Sequence, residues 1–391
     1  MTDGSEAKAV PMKAVPMKAV PMKAVPMGTV TVKAPHLRTL ADAMRWIESA
    51  HDATGRKGIS AGYDLNHGWQ PPYPETSGYL IPTLLRAAQA LHQPQLADRA
   101  HEVGDWLQGL QSSDGAFPGG TGTDGPPVVF DVGQIVLGLV ELWRATREQS
   151  TLDAAVRAAH WLVAAQQPSG AWLSHFGYPN TYSARVTWAV AEVWRATGDT
   201  ALLACAERSL RWMLGQVRPD GWIERMAFDA GRKPWTHTIG YALRGLLRGA
   251  DLVGGELGER CADAATTCAL RLARLGTPLY PLLPGEIGAG FTPRADYACL
   301  TGDAQMVTVW LDVAVRRADP ALRARCVRVV YRLAELQVRQ PLEPAAVGAL
   351  PGSWPLTGGF EPLAFPNWAA KFLADAVLNL AADQARAGHA G

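Results

Sequence analysis

From about residue 36 onward, two kinds of apolar pattern alternate along the chain, and both repeat on the period of an α-helix. One kind, typified by LDAAVRAAHWLVAAQ, places apolar residues every three or four positions with polar ones between them, so one face packs and the other meets water. The other kind is apolar nearly all round: ETSGYLIPTLLRAAQAL, FDVGQIVLGLVELWRAT, YSARVTWAVAEVWRATG, WTHTIGYALRGLLRGAD, TGDAQMVTVWLDVAVRRAD and FPNWAAKFLADAVLNLA. A helix with no wettable face must be surrounded by protein. Six such segments alternate with half-wettable ones at roughly 50 to 60 residues per repeat. The expected fold is therefore all-α: six helical hairpins in one domain over residues 36–391, closed as an (α/α)6 toroid with the apolar set inside. An open solenoid of stacked hairpins is the competing arrangement.

A second periodicity marks the ends of the half-wettable helices. Trp106, Trp161 and Trp212 are each followed nine residues later by a glycine (Gly115, Gly170, Gly221), with Gln111, Gln166 and Gln216 between and Phe117, Trp172 and Trp222 just beyond. The glycine supplies a helix stop, and the tryptophans read as packing between hairpins. This Trp-Gln-Gly-aromatic pattern resembles the QW repeats of the terpenoid cyclase and protein prenyltransferase toroids. The six-hairpin plan resembles the six-hairpin glycosidases, polysaccharide lyases and uronate epimerases. What the resemblance implies is fold first, since one fold hosts many activities. The aspartate-rich DxDD acid of the cyclases has no counterpart here. Of a prenyltransferase zinc set, Asp296 and Cys299 are present, but Phe365-Pro-Asn367-Trp368 stands where a histidine is wanted.

Residues 8–27 are four copies of KAVPM, whose regular prolines deny both helix and sheet interior, so residues 1–35 are expected to form a disordered tail. Net charge is +1, which gives no electrostatic case for nucleic acid. No run of about 18 apolar residues spans a bilayer and no secretory signal opens the chain, so a cytoplasmic protein is expected. The five cysteines are odd in number and sit in apolar helical patterns, as reduced core thiols do. Neither a glycine-rich phosphate loop nor a metal-spaced cluster occurs, so no cofactor and no metal site are expected.

In such a ring the inner helices start at a common mouth, and every start carries polar groups. They are Tyr73, Glu75 and Thr76; Asp131 and Gln134; Tyr182 and Arg185; Trp235, His237 and Tyr241; Asp303 and Gln305; Asn367 and Lys371. The irregular loop before the first adds Asp64, His67 and Trp69. Hydrogen-bonding side chains are costly to bury unpaired, so this lining favours a hydroxyl-rich ligand, with Trp69, Trp172, Trp222, Trp235 and Trp368 as flat faces for sugar rings. Glu75 with Asp131 or Asp303 forms the carboxylate pair that glycosidic chemistry needs. His237 and Tyr241, with Arg185 or Lys371 on a uronate carboxylate, suit proton abstraction instead. The leading expectation is an enzyme acting on a uronate-bearing oligo- or polysaccharide by hydrolysis, elimination or epimerisation. A natural-product cyclase and a non-catalytic binding ring remain the alternatives. The oligomeric state is not legible.

Overall fold

A computed structural model describes residues 34–340 and 343–389; nearly all of the expected KAVPM tail lies outside them. Twelve helices of four turns or more alternate between two rings. The inner ring is α2 (Pro74–Leu91), α4 (Val129–Thr146), α6 (Ala184–Thr197), α8 (Thr236–Val253), α10 (Leu300–Arg317) and α12 (Asn367–His389). The outer ring is α1 (Ala34–Asp52), α3 (Gln95–Leu110), α5 (Gln149–Ala165), α7 (Thr200–Leu214), α9 (Gly255–Ala273) and α11 (Pro320–Leu336). Each inner helix packs on its two inner neighbours, α12 packs on α2, and α1 packs on α12, so the ring closes. The toroid expected from the six apolar segments is the observed architecture, and a single core runs through all six hairpins.

Closure at the mouth is made by a small antiparallel sheet. Gly62–Asp64 pairs on one side with Gly68–Trp69 and on the other with Ala364–Pro366, setting Tyr63 opposite both Trp69 and Phe365. The Asn367 side-chain amide then donates to the Ser60 carbonyl and to Thr76 Oγ1, both at 2.8 Å. The first and last hairpins are thereby locked together across nearly 300 residues of chain.

The QW-like repeat proves to be a clasp between outer helices. Gln111 Nε2 donates to the carbonyls of its own turn at Gly115 (3.1 Å) and of the next outer helix at Ala154 (2.9 Å). Gln166 does the same with Gly170 (3.1 Å) and Cys205 (3.0 Å). Gln337, at the end of α11, repeats the pattern with Gly348 (2.9 Å) and with Thr39 (3.1 Å) on α1, which closes the outer ring. The repeat glycine is required because a Cβ at Gly115 would lie 2.5 Å from the Arg157 carbonyl, and one at Gly170 2.4 Å from that of Arg208. Gln216 stands one residue early in its repeat: its amide nitrogen donates to the Trp212 carbonyl of its own helix and its oxygen accepts from Arg225, so it does not reach the next outer helix. Truncating Gln166 or Gln337 to Ala is expected to cost about 1–3 kcal/mol by leaving carbonyls unsatisfied, whereas Gln216→Ala costs under about 1 kcal/mol. Urea unfolding midpoints rank the three variants.

The inner ring is held tight where α2 meets α4. Pro82 has no N–H to give the Gly78 carbonyl, and Gly138 packs directly on that carbonyl, where a Cβ would come within 2.1 Å. This contact sets the spacing of the two helices whose first turns carry Glu75 and Asp131.

Candidate functional site

The long connections precede the inner helices, so their irregular backbone gathers at the mouth where those helices begin. Glu75 and Asp131 lie in the first turns of adjacent inner helices and are only 6% and 4% exposed. Tyr73 stands between them: its hydroxyl donates to Asp131 Oδ2 at 3.3 Å and lies within the field of the Glu75 carboxyl. Gly120, in the loop before α4, donates its N–H to the same Asp131 oxygen at 2.9 Å.

Burial is the largest influence on both acids, since it penalises the charged form. It raises the Asp131 carboxyl to about 6, against the pull of the Gly120 and Tyr73 hydrogen bonds. Glu75 is raised well above the usual carboxylate range, first by burial and then by the neighbouring Asp131 charge, with Tyr73 and Arg185 opposing. Of the two, Glu75 is the more strongly held in its protonated form, and Asp131 is the one that ionises more readily.

Aromatic rings wall this pair. Phe130 packs edge-on against Tyr182 and tilted against Tyr241, with centroids 5.1 and 4.9 Å away. Phe228 bridges Tyr182 to Trp235, and Phe360 bridges Trp235 to His237. Tyr73 packs edge-on against Trp368, whose indole N–H is enclosed and without a protein acceptor. His237 lies 4.4 Å from the Tyr241 ring, and its Nδ1 meets the Gln305 amide nitrogen at 2.5 Å. That amide also donates to the His237 carbonyl, which fixes its orientation and makes Nδ1 the acceptor. Burial, then the Arg185 charge, pushes the His237 ring down to about 3, so it is neutral at physiological pH.

The other expected site residues divide into three groups. Arg185 and Lys371 face the ring axis below the acid pair, and Gln134 accepts from Arg185 Nε. Asp303 turns the opposite way: its Oδ1 accepts the Leu283 N–H at 2.9 Å and its nearest cation is Arg325 of the outer ring. Burial raises it to about 8. It anchors the loop before α10 and stands apart from Glu75. Asn367 is fully enclosed in the hairpin closure already described. Asp64 caps a turn through the N–H groups of Asn66 and His67, His67 is largely exposed, and Trp69 packs on Tyr63 and on Trp46 of α1. These three belong to the rim, and Trp172 is wholly core.

Three participants were not among the sequence candidates. Tyr79 lies one turn below Glu75 and shares Arg185 and Phe372 with Tyr241 as neighbours; the four-residue spacing from Glu75 puts it on the same axial stripe. Gly120 belongs to a glycine-rich loop, and Phe228 to a loop without helical pattern. Among the described residues, no group of three or more His, Cys, Asp or Glu is placed to hold a metal ion, and no helix is long and apolar enough to cross a membrane.

With this geometry in hand, the comparisons are specific. Residues 74–257 match the model of the β-L-arabinofuranosidase GH127 catalytic domain, a span that includes Glu75, Asp131, Arg185 and His237. No curated protein sequence matches the chain significantly. Among solved structures, the unsaturated glucuronyl hydrolase of Bacillus sp. GL1 superposes with a TM-score of 0.67 at 15% identity, covering 88% of this chain and 96% of its own. An unsaturated glucuronyl hydrolase specific for heparin gives 0.68 at 12% identity, covering 90% and 98%. Cellobiose 2-epimerase from Bacillus thermoamylovorans B4167 gives 0.66 at 12%, covering 87% and 98%. At such identities the likeness is one of architecture: this chain is an (α/α)6 toroid built on the same plan as these glycosidase and sugar-epimerase rings.

Proposed function

We propose that the protein is a carbohydrate-active enzyme that hydrolyses a glycosidic bond at the mouth of the inner ring, with Glu75 as general acid and Asp131 as the ionised partner. The observation that carries this reading is the buried pair sharing one tyrosine. With the proton kept on Glu75 and the Tyr73 O–H donated to Asp131, the pair is already sorted into an acid and a base or nucleophile. Aromatic faces around it suit sugar rings, and the relatives' names supply the class of substrate.

Epimerisation through His237 has less support. Its basic Nδ1 is taken by the Gln305 donor and its charged form is strongly disfavoured by burial, which opposes service as a base. Arg185 and Lys371, expected to grip a uronate carboxylate at the mouth, line the axis beneath it.

As nucleophile, Asp131 attacks the anomeric carbon directly and configuration is retained; as general base it would activate a water and invert it. The test is a panel of 4-nitrophenyl glycosides, including the β-L-arabinofuranoside, and unsaturated uronyl disaccharides. The first-formed anomer is read by proton NMR. Retention is expected, with turnover lost in Asp131→Asn. Undiminished turnover in that variant overturns the assignment, and an inverted product moves Asp131 from nucleophile to base.

A further inference from the structure

Beneath the acid pair, separated from it by the layer of Tyr79, Tyr241 and Arg185, a cavity of about 300 Å³ runs along the ring axis. It opens on the opposite face, where the inner helices end. Glu141 and Arg248 at its rim have side chains 42% and 41% exposed, whereas Arg185 and Lys371 at its floor are almost wholly buried. Five cations line it, Arg86, Arg185, Arg244, Arg248 and Lys371, against three carboxylates, Glu141, Asp312 and Asp375.

The carboxylates do not neutralise the cations evenly. Asp375 is taken by Lys371 at 2.6 Å and receives Arg86 at 3.6 Å. Arg86 is further held by Asn379, and Arg185 by Gln134. Arg244 has neither an ion pair nor a hydrogen bond among the described residues; its guanidinium rests over the Trp188 ring, 5.6 Å from the centroid. Arg185 and Arg248 contact the same ring at 5.2 and 5.6 Å. Trp188 is itself fixed, its Nε1 donating to Glu192 at 2.7 Å, and Glu192 is clamped by Arg144. Favourable charge in the last turn of a helix does not account for Arg86 or Arg248, each of which stands five residues before the end of its helix. Nor does it account for Arg185, near the start of α6, or for Lys371, in the second turn of α12.

We propose that this axial cavity is a second ligand site, which takes a single carboxylated monosaccharide with its carboxylate on the free fork of Arg244 and its hydroxyls toward Glu141, Asp312 and Asn379 in the same wall. A planar, singly charged carboxylate matches a guanidinium in two parallel hydrogen bonds. Inorganic phosphate can meet the same guanidinium but carries no sugar hydroxyls to donate to the carboxylates of the same wall. The volume is at the lower end of the ~300–1,000 Å³ found for small-molecule sites, which admits one sugar and excludes a chain. The proposal stands independently of the reaction assigned to Glu75 and Asp131.

Titration calorimetry on the full chain with D-glucuronate, D-glucose and inorganic phosphate tests it. Saturable glucuronate binding is expected, with glucose and phosphate each at least about tenfold weaker. Arg244→Gln should weaken glucuronate at least about tenfold, while Glu75→Gln leaves it within about twofold. If Arg244→Gln does not fold, Arg248→Ser at the rim replaces it, with an expected loss of about threefold. Equal binding of glucose or phosphate, or undiminished binding in the arginine variant, overturns the proposal. Loss of binding in Glu75→Gln overturns it too, by placing the sugar at the acid pair, a result that leaves the hydrolase reading intact.

Discussion

Glu75→Gln is expected to lower kcat by about 10³-fold on any glycoside the protein cleaves, within the ~10²–10⁴ range of general acid catalysis, with KM changed less than about threefold. The substitution preserves the shape of the side chain and removes only the transferable proton. Gln can still accept from or donate to Tyr73, so the mouth stays assembled, and thermal melting of the variant should show an intact fold. The size of the effect depends on the leaving group. A glycoside with a good leaving group, such as 2,4-dinitrophenol, departs without protonation, so the loss in kcat/KM, which reports the bond-breaking step, should fall to about tenfold or less on that substrate, whereas an alkyl glycoside shows it in full. That contrast separates an acid from a merely structural carboxylate, since a collapsed site slows both substrates alike. A uniform loss across leaving groups would falsify the acid assignment.

The ring was legible because helices without a wettable face have one place to go. The six apolar segments fall on α2, α4, α6, α8, α10 and α12 with ends close to those read from pattern. Three of the outer-helix signatures were equally plain, but the third clasp was hidden. Gln337 finds its glycine at Gly348, eleven positions on instead of four, because a longer loop intervenes. Gln216 shows the converse: it fits the pattern by eye and misses the neighbouring helix by one residue. Local spacing identifies a motif, but only the closed ring decides whether the side chain reaches across.

The site was half legible for a related reason. A carboxylate in the first turn of an apolar helix is conspicuous, and Glu75, Asp131 and Asp303 all have it. Rotation about the helix axis then separates them: Asp131 turns to Tyr73 and Gly120, whereas Asp303 turns to Leu283 and the outer ring. Periodicity shows that a residue is enclosed, not which enclosure it faces. Trp188, Arg244 and Asp375 escaped because they lie beyond the first turn, where a polar residue in an apolar helix reads as incidental. Their common feature is the spacing Arg185/Trp188, Tyr241/Arg244/Arg248 and Lys371/Asp375, three or four residues apart, which stacks them on axial stripes of three helices.

The pH dependence of kcat/KM is the second large effect, and its sign follows from which member of the pair must be charged. Asp131 has to be ionised to attack, and burial holds it up at about 6. Activity should therefore fall about tenfold per pH unit below that point, reaching about a hundredfold loss at pH 4 relative to pH 7. Glu75 must keep its proton, and it does so well above the ordinary carboxylate range because burial and the Asp131 charge both oppose ionisation; the alkaline limb thus begins only after Glu75 starts to ionise. His237, pushed down to about 3, stays neutral across this window and adds no limb. The same proton retention has an opposite consequence for folding. Because the native pair holds protons that the unfolded chain releases from about pH 4 upward, it destabilises the native state increasingly as pH rises through 6. Glu75→Gln should accordingly match the wild type in stability near pH 4 and exceed it at pH 8 in urea unfolding. The residue that activity most needs is thus one that the fold is more stable without, as expected where a buried acid is kept for chemistry. A pH–rate profile flat between 4 and 7, or a variant less stable than wild type at pH 8, would remove the acid–base pair from the mechanism and return Glu75 to the role of an ordinary helix-start carboxylate.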